Sequence, residues 1–198
     1  MAQDEAFHII SDETAGRLKN EGWKTDYIRI IDESTELLTD RQPDKEKVLL
    51  GAGQNTRKWK HAGFKTVDVS YDIQEAPGEH ADFIIDAAHL DRAYAAGSLD
   101  CIATEYLPLD VEGKKGVKPS DLLEQSYRAL KPGGKLVILS ASMEGNWDEV
   151  GLSLPHRDEF ARLMAERGFK TVVVVSEYDY PSEDAREQSV VYYGEKPK

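Results

Sequence analysis

The apolar residues of this chain fall into short runs that are separated by polar, glycine-containing stretches. The run Val48 to Leu50 ends at Gly51, and further runs follow at 64–69, 82–86, 99–104, 135–139, 171–175 and 189–193. Runs of this length, bounded by turn residues, are typical of buried strands. We therefore predict a strand at each of these places.

Helical patterns lie between several of the predicted strands. They span residues 56–62, 120–130 and 157–168, with Ser120 as the predicted cap of the second and Gly168 just past the last turn of the third. Strands that alternate with helices favour an open, mostly parallel sheet covered on both faces. No helical pattern separates the last two strands, so at least one of them is expected to run antiparallel. The pattern thus predicts a doubly wound α/β fold with about seven strands and an antiparallel last strand.

The first 45 residues lack this strand-loop-helix rhythm. Ser11 is placed to cap a short helix that ends near Gly22, residues 27–31 are apolar and β-prone, and residues 32–38 suit a second short helix. We interpret residues 1–45 as an N-terminal extension or lid on an α/β domain at 46–198.

Composition restricts the partners and the location. The net charge of −12 disfavours a nucleic-acid partner, because such binding depends on lysine and arginine. A single cysteine, Cys101, argues against a disulfide framework, and no apolar run approaches the ~20 residues of a membrane helix. We expect a cytoplasmic protein without a membrane partner, and the sequence predicts no oligomeric state.

Candidate chemistry gathers at the predicted strand ends. The bend Gly51-Ala52-Gly53 follows the first strand of the domain, and glycines there let a ligand approach the backbone. Asp68 and Asp86 end the next two strands, and Glu105-Tyr106 follows the fourth. Ligands of open α/β sheets bind in the crevice outside the carboxyl ends of the strands, which is where all these residues are predicted to lie.

Neither a metal site nor a catalytic triad is predicted. The five histidines lack paired ligand spacing. His89 and His156 are candidates for a general base, but a structural role is favoured for both. Three aromatic residues are candidates to line an acceptor pocket or simply to pack in the core: Trp23, Tyr27 and Trp147.

The ordered set of motifs resembles the class I S-adenosylmethionine-dependent methyltransferases, and in spacing the small type 11 members with a short first helix. The resemblance covers about Lys47 to Lys196 and rests on five fragments. They are Val48-Leu-Leu-Gly-Ala-Gly53, Gly63-Phe-Lys-Thr-Val-Asp-Val69, Asp86-Ala-Ala-His-Leu90, Ser98-Leu-Asp-Cys-Ile102 and Leu130-Lys-Pro-Gly-Gly-Lys-Leu-Val137. It implies a Rossmann-like fold and S-adenosylmethionine as the cofactor.

The resemblance also implies a role for each strand end. Gly51, Ala52 and Gly53 would lie against the methionine and ribose portions of the cofactor, and Asp68 would accept hydrogen bonds from the ribose hydroxyls. Val69 would contact the adenine face, while Asp86 and the backbone of Ala87 would bind its polar edge. Glu105 and Tyr106 would line the methyl-donor end. The expected reaction is methyl transfer to a small molecule by in-line displacement, with a protein acceptor as an alternative.

Two departures from the family pattern keep other functions open. Leu49 stands where the family often has an acid, and Asn55 replaces a third glycine of the bend. A methyltransferase-like protein that binds a ligand or a partner without catalysis is therefore the second hypothesis. A nucleotide-sugar or dinucleotide enzyme of similar fold is the third, although the Leu-Lys-Pro-Gly-Gly turn at 130–134 argues against it.

Overall fold

The computed structural model describes residues 6–51, 56–69, 80–105, 107–143, 155–179 and 186–198. The strands in these ranges are β1 (Phe7–Ser11), β2 (Lys47–Leu50), β3 (Phe64–Asp68), β4 (Phe83–Ile84), β5 (Leu99–Glu105), β6 (Leu130–Met143), β7 (Lys170–Asp179) and β8 (Arg186–Glu195). The α-helices are α1 (Asp12–Asn20), α2 (Asp26–Thr39), α3 (Thr56–His61), α4 (Pro119–Ala129) and α5 (Arg157–Glu166), and Ala87–Arg92 forms a 3₁₀ helix.

All of these strands belong to one sheet, in the order β1-β7-β8-β6-β5-β2-β3-β4. Strand β8 runs antiparallel to both of its neighbours, and the other pairings are parallel. The predicted fold class and the antiparallel last strand are thus confirmed. The described sheet has eight strands instead of about seven, because residues 7–11 add an edge strand beside β7 that the sequence prediction omitted.

Both faces of the central strands are covered. Leu49 packs with Trp59 and Phe64 on the face that α2 and α3 cover, and the neighbouring residues Val48 and Leu50 belong to the larger core on the opposite face. All three residues 48–50 have no exposed surface. A parallel strand that is buried on both faces consists of consecutive apolar residues, which is the pattern seen in the sequence.

The prediction for residues 27–31 is wrong: they lie inside α2, a single helix that also includes the short helix predicted at 32–38. Ile28 and Ile30 are buried, whereas their β-branched side chains favour an extended backbone in isolation. Intrinsic propensity differs by less than about 1 kcal/mol per residue, so burial of these side chains decides the conformation.

Helix α2 crosses the sheet at the amino ends of the parallel strands. Asp26 pairs with Lys170 of β7 at 3.4 Å, and Arg29 donates two hydrogen bonds, of 2.7 and 2.9 Å, to Glu195 of β8. Further along the helix, Glu33 lies 2.7 Å from Lys135 of β6.

The last turn of α2 then reaches β2. Lys47, which is 1% exposed, donates hydrogen bonds of 2.7 and 2.8 Å to the carbonyls of Leu37 and Asp40. A lysine there satisfies carbonyls that the helix leaves without partners and is favoured by the helix dipole. Fourteen residues of helix rise about 21 Å, and the four strand spacings from β7 to β2 amount to about 19 Å. The length of α2 therefore matches the width of the sheet that it spans.

The helix caps were only partly predicted. Ser11 caps α1 as expected, since its hydroxyl accepts a hydrogen bond from Thr14 N at 3.1 Å. The prediction that Ser120 caps the helix at 120–130 is wrong, because this helix, α4, has Lys118 at its N-cap and Pro119 at its first position. Proline suits that position, since its φ is already helical and its missing N–H would have had no partner in the helix.

The N-terminal residues contribute to the sheet and to one of its edges. The described part, from residue 6, supplies β1 at the sheet edge and α2 along the amino ends of the strands. A domain boundary near residue 46 and a role as a lid stay predictions. Among the described helices, none combines the length and the apolar character that a membrane span needs.

The ion pairs of Glu195 should make stability depend on pH. Arg29 and Lys135 lower the pKa of Glu195 from 4.5 to about 2, with the Arg29 hydrogen bond as the largest cause. In this range the unfolded chain holds more protons on Glu195 than the folded protein does, so the free energy of unfolding should decrease as pH falls from about 5 towards 2. Complete protonation should cost about 3 kcal/mol. We expect Glu195→Gln to be less stable than the wild type at pH 7 and to lose less stability between pH 5 and pH 3.

Urea denaturation followed by circular dichroism at several pH values measures this difference. Glu166→Gln is the matched control, because Glu166 forms an exposed pair with Arg162 on α5. Parallel stability curves for the wild type and Glu195→Gln below pH 5 would contradict the assignment.

Candidate functional site

The strand order reverses between β2 and β5, and the candidate residues lie at the carboxyl ends of the strands around this point. From β2 the chain adds β3 and then β4 on one side, whereas β5 and then β6 are added on the other side. Loops that leave neighbouring strands in opposite directions open a crevice at the carboxyl edge. Gly51 follows β2, Asp68 ends β3, Asp86 follows β4 and Glu105 ends β5. The structure thus brings these four predicted residues to the same edge of the sheet.

Gly51 forms a tight bend at the end of β2. It has φ +70°, and its N–H donates a hydrogen bond of 3.0 Å to the carbonyl of Val67 in β3. A Cβ at this position would lie 2.9 Å from Cδ1 of Leu107, in the segment after β5. Glycine is therefore required both by the backbone conformation and by the close approach of the next loop. The predicted residues Ala52 and Gly53 lie outside the described ranges, as does Asn55.

Asp68 and Val69 present opposite chemistry at the tip of β3. Asp68 is half-buried, and its carbonyl accepts a hydrogen bond of 2.8 Å from Ile85 N, which fixes the backbone at the strand end. The side chain of Val69 is 70% exposed. A carboxylate followed by an exposed apolar side chain suits a ligand that carries hydroxyl groups next to an apolar ring.

Asp86 begins the 3₁₀ helix after β4. Its Oδ1 accepts a hydrogen bond of 2.9 Å from Ala88 N, and the next residue, Ala87, is buried. The other carboxylate oxygen of Asp86 has no partner among the described residues, and the side chain is exposed.

The strand predicted at 82–86 is shorter than expected, because β4 contains only Phe83 and Ile84. Asp82 leaves the strand pattern: its carboxylate accepts a hydrogen bond of 2.8 Å from Thr66 N of β3. This side chain replaces part of the backbone pairing that a longer strand would have made. Asp86, two residues after the strand, is the cap of the 3₁₀ helix and not a strand residue.

Glu105 is held by a residue that the sequence analysis did not single out. Nε1 of Trp59, in α3, donates a hydrogen bond of 2.5 Å to Oε2 of Glu105. Trp59 is 3% exposed, so its N–H is directed from the core to the carboxylate at the strand end. The sequence contains one indication of this contact: a tryptophan in the helix that follows the glycine bend. Tyr106 lies outside the described residues.

Other candidates lie elsewhere. Trp23 lies in the turn between α1 and α2 and Tyr27 in the first turn of α2, and the Asp26–Lys170 pair places both at the amino edge of the sheet. Nδ1 of His156 accepts a hydrogen bond of 3.3 Å from Asp158 N and thereby caps α5.

His89 is exposed in the 3₁₀ helix, and Trp147 lies outside the described ranges. Within the described part of the chain, no group of three or more His, Cys, Asp or Glu side chains is arranged to hold a metal ion.

Solved methyltransferases share this fold over most of the chain. An S-adenosylmethionine-dependent methyltransferase from Thermotoga maritima has 20% sequence identity and a TM-score of 0.58, covering 91% of this chain and 97% of that chain. Geranyl diphosphate C-methyltransferase from Streptomyces coelicolor A3(2), solved with S-adenosyl-L-homocysteine, has 14% identity and a TM-score of 0.58. The match covers 98% of this chain and 86% of that chain. An S-adenosylmethionine-dependent methyltransferase from Archaeoglobus fulgidus has 14% identity and a TM-score of 0.59, and the match covers 94% of this chain and 100% of that chain.

These similarities show that the chain has the Rossmann-like fold of the class I methyltransferases, as the resemblance implied. No protein-family model matches the chain, and no curated protein matches its sequence.

Replacing Gly51 should test the geometry of the bend. We expect Gly51→Ala to lower the free energy of unfolding by about 1–3 kcal/mol, because alanine disfavours positive φ and its Cβ displaces Leu107. The control is Gly16→Ala, in α1, where a Cβ meets no atom within 4 Å. That change should raise stability by up to about 1 kcal/mol. Chemical denaturation of both variants measures the difference, and equal stability of Gly51→Ala and the wild type would show that the bend has another geometry.

Proposed function

We propose that this protein is an S-adenosylmethionine-dependent methyltransferase that acts on a small-molecule acceptor. One observation carries the proposal: the Gly51 bend after β2 and the half-buried carboxylate of Asp68 at the end of β3, with the exposed Val69 beside it, lie next to the point where the strand order reverses, and the carboxylate of Asp86 follows β4 at the same edge of the sheet. A nucleoside needs these groups, since it has a diol, a flat apolar ring and a polar ring edge.

The residues at the strand ends fit the parts of this cofactor. Asp68 would accept hydrogen bonds from the two ribose hydroxyls, and charge-assisted bonds of this kind are about twice as strong as neutral ones. Val69 would cover one face of the adenine, and Asp86 and the backbone of Ala87 would bind the exocyclic amine and a ring nitrogen. Gly51 would allow the remaining part of the cofactor to lie close to the backbone.

The chemistry demands little of the protein's own acids and bases. When it is bound, S-adenosylmethionine supplies a methyl group on a sulfonium, which is already an activated donor. The residues around the crevice would hold donor and acceptor in line and exclude water. A general base is needed only for an acceptor that must lose a proton.

A small-molecule acceptor is supported by charge and by the neighbouring structures. The net charge of −12 does not favour an extended polyanion such as a nucleic acid. Among the neighbours, one is a geranyl diphosphate methyltransferase and another is an arsenic(III) methyltransferase from Chlamydomonas reinhardtii. These acceptors differ in chemistry, so they support the class of acceptor and not its identity.

A methyltransferase-like protein without catalysis is the second candidate. It is favoured by Leu49, which is fully buried against Trp59 and offers no polar group to a cofactor. Turnover with any acceptor that Asp68→Asn abolishes would eliminate this candidate.

Binding of the cofactor should depend on Asp68. We expect the wild type to bind S-adenosylhomocysteine in isothermal titration calorimetry, and Asp68→Asn to bind it roughly 10- to 100-fold more weakly, since a hydrogen bond to a charged group contributes about 1.5–3 kcal/mol. Asp44→Asn is the matched control, because Asp44 is exposed in the connector before β2. Absence of binding by the wild type would reject the cofactor, and equal losses in both variants would reject the role of Asp68.

A further inference from the structure

The loop between β5 and α4 is closed at its base beside the glycine bend. Its residue Leu107 approaches Gly51 so closely that a Cβ on the glycine would lie 2.9 Å from Cδ1 of the leucine. The carbonyl of Pro108 accepts a hydrogen bond of 2.9 Å from Val117 N, and a Cβ on Gly116 would lie 2.5 Å from the same carbonyl oxygen. This β5–α4 loop therefore lies at the carboxyl edge of the sheet, next to the proposed cofactor site.

A buried carboxylate fixes the backbone of the β5–α4 loop. Asp110 is 2% exposed, and its carboxylate accepts hydrogen bonds of 3.0, 2.8 and 2.9 Å from the N–H groups of Glu112, Lys114 and Lys115. Hydrogen bonds to an ionised acceptor are about twice as strong as neutral ones. The backbone that carries the lysines is thus held in one conformation, while their side chains are exposed.

The loop brings two of its lysines together. The side chain of Lys118 lies across Gly113, since a Cβ on this glycine would be 2.6 Å from Cε of the lysine. The charged end of Lys118 therefore lies beside the backbone that carries Lys114. Lys118 has no ion-pair partner among the described residues, and Lys114 pairs with Glu112, where both side chains are exposed. Exposed ion pairs contribute less than about 1 kcal/mol, so an anionic ligand can take the place of Glu112.

Positive charge in this loop contrasts with the charge of the whole chain. A net charge of −12 repels anions from the surface in general, so an anion binds only where positive charge is concentrated. The lysines at 114, 115 and 118 supply such a concentration at the edge of the sheet where the cofactor is proposed to bind. Because the backbone of the loop is already ordered, less conformational entropy is lost when its side chains bind a ligand.

We propose that the β5–α4 loop binds an oxyanion group of the methyl acceptor, a phosphate or a carboxylate, through Lys114 and Lys118. This role rests on the proposed function and gives the acceptor a chemical class, an anionic small molecule. It predicts an anion site that depends on these two lysines and is separate from the cofactor site.

The experiment uses inorganic pyrophosphate and malonate as probes for the two kinds of oxyanion. Each is titrated calorimetrically into the full-length protein saturated with S-adenosylhomocysteine. We expect the wild type to bind at least one probe, and the double variant Lys114→Gln/Lys118→Gln to bind it about tenfold or more weakly, because two charge-assisted contacts are lost. The tighter probe identifies the group as phosphate or carboxylate. Affinity of the double variant for S-adenosylhomocysteine should change by less than about twofold.

The double variant Lys19→Gln/Lys24→Gln is the matched control. Lys19 forms an exposed ion pair with Asp32, and the exposed Lys24 has no ion-pair partner among the described residues. The control therefore removes the same charge from similar surroundings, but near the turn between α1 and α2 at the opposite edge of the sheet. It should leave the affinity for either probe unchanged within about twofold. Equal losses in the two double variants would assign binding to net charge alone and overturn the proposal.

The remaining outcomes separate this proposal from the proposed function. If the wild type binds S-adenosylhomocysteine but neither probe, or if a probe displaces S-adenosylhomocysteine, the acceptor subsite is overturned and the proposed function stands. If the wild type does not bind S-adenosylhomocysteine, the proposed function fails and the acceptor role of the loop fails with it, even where a probe still binds through the two lysines.

Discussion

Burial of the central strands on both faces is the constraint from which the other features follow. Val48, Leu49 and Leu50 of β2 are fully buried, as are Cys101, Ile102 and Ala103 of β5. A sheet of this kind must be covered by helices on both sides, so the middle of each strand has no access to solvent. Polar chemistry in these two strands is then confined to their ends: Lys47 begins β2, and Glu105 ends β5.

The two edges use these charges differently. At the amino edge, Arg29 and Lys135 both bind the carboxylate of Glu195, and Lys47 binds the last carbonyls of α2. Removing one partner from a buried group of ion pairs lowers stability strongly, whereas the complete group adds little net stability. The main effect of these ion pairs is therefore to fix the position of α2 across the sheet. At the carboxyl edge, Asp68 and Glu105 end β3 and β5 and Asp86 follows β4, and the proposed cofactor site rests on this placement.

Trp59 connects the core to the carboxyl edge of the sheet. The same ring that packs against Phe64 also donates its N–H to Glu105, so the position of a carboxylate at the strand end depends on side chains in the interior. Neighbours with 14–20% identity keep the architecture, which shows that many different side chains can form such a core. A shared topology fixes where the strands end, whereas a side-chain pair such as Trp59 and Glu105 is a property of the individual chain.

The sequence by itself determined the elements that have a local signal: the buried strands β2, β3 and β5, the helix α5, the doubly wound fold and the placement of Asp68 and Glu105 at strand ends. Periodicity and turn residues encode these features over a few neighbouring positions. Only the tertiary structure decided that residues 27–31 are helical, that residues 7–11 form an edge strand, and that Asp82 leaves the strand pattern of β4 to bond Thr66. It also decided that Trp59 binds Glu105, 46 residues further along the chain. These outcomes depend on contacts between distant residues, and such contacts outweigh local preferences of less than about 1 kcal/mol per residue.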